Sequence, residues 1–191
     1  MTKQERSSLF IEMAEQAGFT QEEAKELELN LDVVGFFTAP ASTKYHGDYE
    51  GGLFDHCCAV TKMLVQLTKD NKLMWLSPKS PFVVGMFHDL CKCDKYCHPV
   101  VGNAIGGKVI EDTKKWEYKN GSPWGDGHGV KSAAIAGTLI QLTQEEAMCI
   151  IHHMGAYEKD CWQNYDAAIR RFPNVLWTHH ADMLASKVHG I

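Results

Sequence analysis

The feature that most constrains this chain is a short apolar run, Phe82, Val83, Val84, Met86 and Phe87, that ends abruptly on His88-Asp89. Pro78 and Pro81 open the segment in the manner of a helix start. If the run is helical, Lys92 at i+4 projects from the same face as His88 and brings a cation beside whatever that pair binds. Adjacent His and Asp offer an imidazole nitrogen and a carboxylate, which can share one ion or bridge two. Taken alone, such a pair is more often surface than site, so the rest of the chain has to decide.

The flanking pattern is helical almost throughout. Residues 5–17 carry Leu9, Phe10, Met13 and Ala17 at helical spacing and close on Gly18. Thr20 then caps a second helix, with Glu23 in capping-box position. Residues 35–52 are rich in glycine and proline and read as a loop containing His46 and Tyr49. A helix follows over 53–69 with His56 near its start. Within 108–120, Val109, Trp116 and Tyr118 are strand formers and Asn120-Gly121 marks a turn, so a short hairpin is expected. A glycine-rich loop over 121–129 leads into a helix from Val130 to Leu142. Thr143 caps the next helix with Glu146 as its box partner, and that helix ends at His152-His153. Residues 160–172 read as helix, and Pro173 opens a last helix holding His179, His180 and Asp182. The expected fold is an all-α bundle of about seven helices with one small β-hairpin insertion. It forms one domain over 1–191, with 1–35 an N-terminal helical extension and 36–188 the core.

Charge and cysteine usage narrow the class. A formal net charge of −5 argues against a broad basic face for nucleic acid, so no stable nucleic-acid complex is expected, while a small phosphate held by a local patch and metal ions stays open. There is no apolar signal core and no stretch of about 20 apolar residues, so no membrane association and a cytoplasmic location are expected. Seven cysteines, an odd number, read as free thiols. Cys91, Cys93, Cys97 and His98 raise the question of a structural zinc, but the spacing lacks a Cys-x2-Cys knuckle, and small buried or semi-exposed thiols is the preferred reading.

Ten histidines in a chain this short are a reason to look for ligands. In order, the candidates are His56, His88-Asp89, His128, His152-His153 and Asp182, each on a separate expected helix or at its end. That arrangement suits a bundle core in which facing helices each contribute an inward ligand. Spacing alone does not bring them together.

The residues Gly51-Gly52-Leu53-Phe54-Asp55-His56, His88-Asp89-x-x-Lys92, Gly127-His128-Gly129-Val130-Lys131-Ser132, His153-Met154-Gly155 and Ala181-Asp182-Met183-Leu184-Ala185 resemble the HD-domain metal-dependent phosphohydrolase superfamily. Within it they are most similar to uncharacterised bacterial and phage HD hydrolases, and secondarily to the HD domain of certain bacterial exoribonucleases. The resemblance covers roughly residues 36–188. It implies His56, His88, Asp89 and Asp182 around a first ion, with Asp89 bridging to a second ion held by His128 and His153. The sequence departs from the usual pattern at Cys91, where glycine is usual, at Asp55, where glutamate is commoner, and at Val130, often glutamate. In some HD phosphodiesterases both histidines of a pair such as His152-His153 matter; His153 is taken as the ligand here.

Imidazole and carboxylate ligation suits Mn²⁺, Fe²⁺, Ni²⁺ or Zn²⁺. Two ions about 3.5–4 Å apart can hold a bridging water as nucleophile and clamp a phosphoryl oxygen. The sequence has no Gly-x-Ser-x-Gly elbow and no Walker loop. Asp89 and Lys92 are then the catalytic pair, Lys92 countering phosphoryl charge. Lys131, near a helix start, is a second phosphate candidate, balanced against a solvated lysine. His179 is set against a surface role as an orienter of Asp182. Trp124, Phe54 and Tyr157 are candidates to stack on a base, although packing explains each as well. The expected activity is hydrolysis of a phosphomonoester or phosphodiester of a nucleotide or related small phosphate, with room for a homo-oligomer. A di-iron oxygenase and a nucleotide sensor without turnover are the alternatives.

Overall fold

Three Thr-x-x-Glu sequences set the helix starts. Thr2, Thr20 and Thr143 each accept a hydrogen bond from the backbone N–H of Glu5, Glu23 and Glu146, and each glutamate reaches back to the threonine N–H. Two orphan donors are thereby satisfied at each start. The first of these boxes, Thr2 with Glu5, was not among the sequence expectations.

The computed structural model describes residues 1–45, 47–103, 109–119, 127–157 and 162–190. His46, the turn at Asn120-Gly121, Trp124, Cys161 and the side chain of Tyr157 lie outside what is described. Among the described residues there are eight α-helices: α1 (Lys3–Gln16), α2 (Gln21–Val33), α3 (Gly52–Asn71), α4 (Ser80–Phe87), α5 (His128–Leu139), α6 (Gln144–Ile151), α7 (Trp162–Arg171) and α8 (Asn174–Met183). The fold is all-α with a small β insertion, as expected. None of these helices is long and apolar enough to cross a membrane.

The insertion differs in detail from a single hairpin within 108–120. Strand β1 (Tyr96–Cys97) pairs antiparallel with β4 (Glu117–Tyr118), and β2 (Val100–Asn103) pairs antiparallel with β3 (Val109–Glu111). The downstream strand formers find their partners upstream, across residues 96–103. Pro99 lies between β1 and β2, where a missing N–H interrupts a ladder, so the insertion divides into two small sheets.

Helix α3 is the spine. It packs along α4 and is crossed by α8, while α5 and α8 both pack on α6. Gly85 in α4 lies so close to Thr61 of α3 that a Cβ there would collide with the Thr61 backbone and side chain. This close approach sets the C-terminal half of α4 against the middle of α3. One core cluster joins Phe10, Phe36, Phe37, Phe54, Phe82 and Phe87; a second joins Val60, Leu64, Val84, Cys149, Val175 and Ala181. Each fully buried phenylalanine, leucine or valine among them contributes about 1.5–3 kcal/mol by leaving water. Helix α1 is tied to the spine by a partly buried pair in which Arg6 Nε and Nη2 donate to Asp55 at 3.0 and 3.1 Å. Tyr49 Oη also donates to Asp55 at 3.0 Å. Asp55 therefore fixes the start of α3 one residue before His56.

Candidate metal centre

Six sequence candidates converge, five of them near a helix end and the sixth, Asp89, just past one. His56 is the fifth residue of α3; His88 caps the C-terminus of α4; His128 opens α5; His153 follows the C-terminal cap of α6; Asp182 sits in the last turn of α8. Asp89 is not helical. Helix α4 stops at Phe87, Asp89 takes φ −113° and ψ 17°, and a 3₁₀ turn covers Leu90–Asp94. This corrects the expectation that Lys92 shares a helical face with His88. In a 3₁₀ turn residues i and i+3 eclipse, so Lys92 Nζ instead lies 2.7 Å from Asp89 Oδ2.

The six residues form two groups, His56 with His88 and Asp182, and Asp89 with His128 and His153, whose ligand atoms lie close enough together in each to hold a metal ion. In the first, His56 Nε2 is 3.3 Å from both Asp182 Oδ1 and His88 Nε2. In the second, Asp89 Oδ1 is 2.7 Å from His128 Nε2 and 3.5 Å from His153 Nε2. The other oxygen of Asp89, Oδ2, is 3.5 Å from the Nε2 of both His56 and His88, so this carboxylate faces both groups. His88 and His153 each donate Nδ1–H to the carbonyl three residues earlier, Gly85 O and Ile150 O, at 2.8 Å. That leaves their Nε2 lone pairs turned inward.

The donor set fits a divalent metal. Asp89 Oδ1 and His153 Nε2 are buried without a hydrogen-bond partner. His128 Nε2 is near enough to Oδ1 to bond but is not aligned for it. An unsatisfied buried polar atom costs about 1–3 kcal/mol, and a cation among these lone pairs removes that cost. The third such atom among the described residues, Tyr165 Oη, belongs to the second core cluster.

Electrostatics agree with this assignment except at His153. Burial opposes charge on Asp89, yet Lys92, His88 and His128 together hold its carboxyl well below the usual range. Asp182 is likewise lowered, its burial outweighed by His56 and the neighbouring imidazoles. Burial lowers His88 and His128, toward the neutral form that a metal ligand takes. His153 is raised, since contact with Asp89 outweighs its burial. Lys92 is raised too, its burial outweighed by Asp89, and so stays charged. Burial pushes the Cys91 thiol up to about 12.

A cavity of about 290 Å³ opens on the centre. Buried His56 and Asp89 and partly buried Lys92, His128 and Asp182 form its floor, and Tyr45, Tyr96, Tyr118 and Lys187 line it nearer the surface. Tyr96 and Tyr118 pair across β1 and β4 with ring centroids 5.4 Å apart. The sequence reading missed these tyrosines because their juxtaposition depends on strand pairing. Lys187 was also missed, though it lies one helical turn after Met183, beside Asp182.

Other candidates lie elsewhere. Lys131 is buried with Nζ 2.6 Å from Asp94 Oδ1, and it does not line the cavity. Phe54 is fully enclosed by Phe36 and Phe37 and cannot stack on a ligand. His179 Nδ1 reaches the His153 carbonyl at 2.8 Å. His152 lines a different cavity of about 470 Å³ beside Met148 and Ala168. Cys91 turns toward His128. The described cysteines, Cys57, Cys58, Cys91, Cys93, Cys97 and Cys149, are free. In comparisons with known proteins, no family model, no curated protein and no solved structure matches the chain.

Proposed function

We propose that the chain is a metal-dependent phosphohydrolase of the HD superfamily, cleaving a phosphomonoester or phosphodiester bond of a nucleotide or related small phosphate. The observation that carries this reading is Asp89. It is a buried carboxylate facing one imidazole–carboxylate group with Oδ2 and two further imidazoles with Oδ1, with a lysine against it. His56, His88 and Asp182 would hold one ion and Asp89, His128 and His153 the other, with Mn²⁺, Fe²⁺, Ni²⁺ and Zn²⁺ all suited to these donors. When bound, the metal supplies Lewis-acid polarisation of a phosphoryl oxygen and a water of lowered pKa.

The chain's own groups do the rest. Lys92 keeps its proton and, held by Asp89, presents a fixed positive charge where phosphoryl charge develops. The imidazoles of His88 and His153 cannot swing away, because their Nδ1–H groups are anchored to backbone carbonyls. Tyr96 and Tyr118 offer flat faces for a base above the centre. A cavity of about 290 Å³ suits a small phosphorylated molecule, not a polymer.

The test incubates wild type and Asp89→Ala with Mn²⁺ and a panel of nucleoside mono-, di- and triphosphates, cyclic mono- and dinucleotides and short oligonucleotides. Products are read by mass spectrometry. A product formed by wild type alone, with the variant still helical by circular dichroism, is the expected result. Full activity in Asp89→Ala overturns the reading.

A further inference from the structure

One small ribbon carries four rings on a single face. Strands β1 and β4 pair with Tyr96 opposite Tyr118 and Cys97 opposite Glu117, so the next positions outward, His98 and Trp116, also stand opposite each other. Side chains alternate from face to face along a strand. The Tyr96–Tyr118 and His98–Trp116 pairs therefore share a face, and Cys97 and Glu117 take the other. Both pairs are closed, with ring centroids 5.4 Å apart in the first and 3.9 Å in the second. None of the four rings belongs to either core cluster, so core packing does not account for them.

The strip of rings serves two cavities. The tyrosines line the one above the metal centre, while His98 and Trp116 line a second, of about 380 Å³, and Tyr96 lines both. Thr38 and Pro40, from the loop before α3, and Glu50 complete the second cavity, and none of the six metal-ligand candidates reaches it. Its side-chain polar groups have one sense. His98 donates Nδ1–H to the Lys115 carbonyl at 2.7 Å, which leaves Nε2 an acceptor in the neutral ring. The Glu50 carboxylate is an acceptor as well. Aromatic side chains beside acceptors suit a flat ligand with N–H donors. A nucleobase with an exocyclic amino group has both features, a π-face to stack and an amino group for a carboxylate.

We infer that the second cavity is a binding site for an amino-bearing nucleobase. Trp116 and His98 supply the aromatic wall, and Glu50 accepts from the amino group. The site lies outside the metal centre and needs no ion. Because Tyr96 belongs to both cavities, a base held here is next to whatever occupies the centre. The base comes from one of two sources. It is the far end of a two-base substrate whose phosphate reaches the centre, which rests on the hydrolase reading above, or it is a separate nucleoside.

The experiment uses cytidine and uridine, which are alike in size and differ in the amino group. Each is titrated without metal against full-length protein, with affinity read by saturation-transfer NMR of the nucleoside. In isotope-labelled wild type, the Trp116 indole N–H resonance, assigned by its loss in Trp116→Phe, reports where the nucleoside sits. Cytidine is expected to shift that resonance and to bind about tenfold more tightly than uridine. Glu50→Ala, a change at an exposed loop residue, is expected to abolish the preference. Trp116→Ala is expected to weaken cytidine about tenfold, and Trp116→Phe, which keeps a ring, to retain most of the affinity. Equal affinity for the two nucleosides, a preference that survives in Glu50→Ala, or cytidine bound with no shift at Trp116 overturns the assignment.

Two further arms, run with Mn²⁺, distinguish the sources, and either supports the site. A KM for dicytidine monophosphate that rises in Trp116→Ala, while that for cytidine monophosphate does not, assigns the base to the substrate. Free cytidine that alters turnover of cytidine monophosphate assigns it to a separate nucleoside. Wild type that binds cytidine at Trp116 but turns over no member of the nucleotide panel counts against the hydrolase reading and leaves the nucleobase site standing.

Discussion

The floor and the rim of the cavity are made from different kinds of structure. Every floor ligand sits where a helix begins or ends, on elements packed into the core, and His56, His88, Asp89 and His153 are all but inaccessible. The rim is the small β1–β4 sheet, a loop and the turn that follows α8, where Tyr118 is 63 % and Tyr45 79 % exposed. The floor is over-determined: each imidazole or carboxylate touches two or more partners, and a change at one is felt by the rest. The rim tyrosines are bound chiefly to each other. On the proposed reading, this separation would put bond-breaking chemistry on the floor and selection of what enters at the rim. Each part can then be perturbed without the other.

The largest effect should come from the floor. His153→Ala is expected to lower kcat/KM by about 10³-fold or more and to reduce bound metal from two ions to one, whereas His152→Ala, one residue away, keeps both. Steady-state kinetics with elemental analysis of the two variants checks this. Equal losses would show that the register of the α6 terminus does not choose the ligand, and the floor would be less determined than its geometry indicates.

Lys92 tests the same region without removing a ligand. Lys92→Met keeps the length of the side chain but not the charge held 2.7 Å from Asp89. The expected cost is about 10²-fold in kcat, with KM nearly unchanged, because the charge matters most as phosphoryl charge develops. A change confined to KM would move Lys92 from chemistry to ground-state binding.

At the rim the pattern should invert. Tyr96→Ala removes one of two paired rings and is expected to raise KM about tenfold for an aromatic substrate, since stacking on one base is worth about 1–3 kcal/mol, and to leave kcat alone. A fall in kcat with constant KM would show that the rim reaches the chemistry and would break the division.

The same division explains what could be read from sequence. Capping boxes at Thr20 and Thr143 are signals confined to four residues, and both stand as expected. The placement of His56, His128, His153 and Asp182 on separate helix ends was legible for the same reason, although their convergence came from a resemblance and not from spacing. The end of α4 was misplaced because an apolar run followed by Leu90 and Cys91 looks alike in α and 3₁₀ form, and the two differ only in whether Lys92 meets His88 or Asp89. The rim was scarcely legible, since nothing local pairs Tyr96 with Tyr118. The contact from Cys91 to His128 spans 37 positions and follows from the meeting of a 3₁₀ turn with a helix start.

The smallest expected effect probes how rigid the floor is. Thr143 opens α6 by accepting from Glu146 N–H at 3.2 Å, and Glu146 accepts in turn from Thr143 N–H at 2.7 Å and from Ser80 Oγ at 2.8 Å. His153 lies just past the other end of the same helix. Thr143→Ala is expected to cost about 1 kcal/mol, a fall in Tm of about 2–4 °C for a chain of this size. It should leave kcat and metal affinity untouched, because Ser80 still holds Glu146 and the core faces of α6 are unchanged. Thermal denaturation and kinetics on one preparation decide the matter. If activity falls along with Tm, fraying at the start of α6 is transmitted along its length to His153, and the floor owes its geometry to the caps of its helices as much as to their packing.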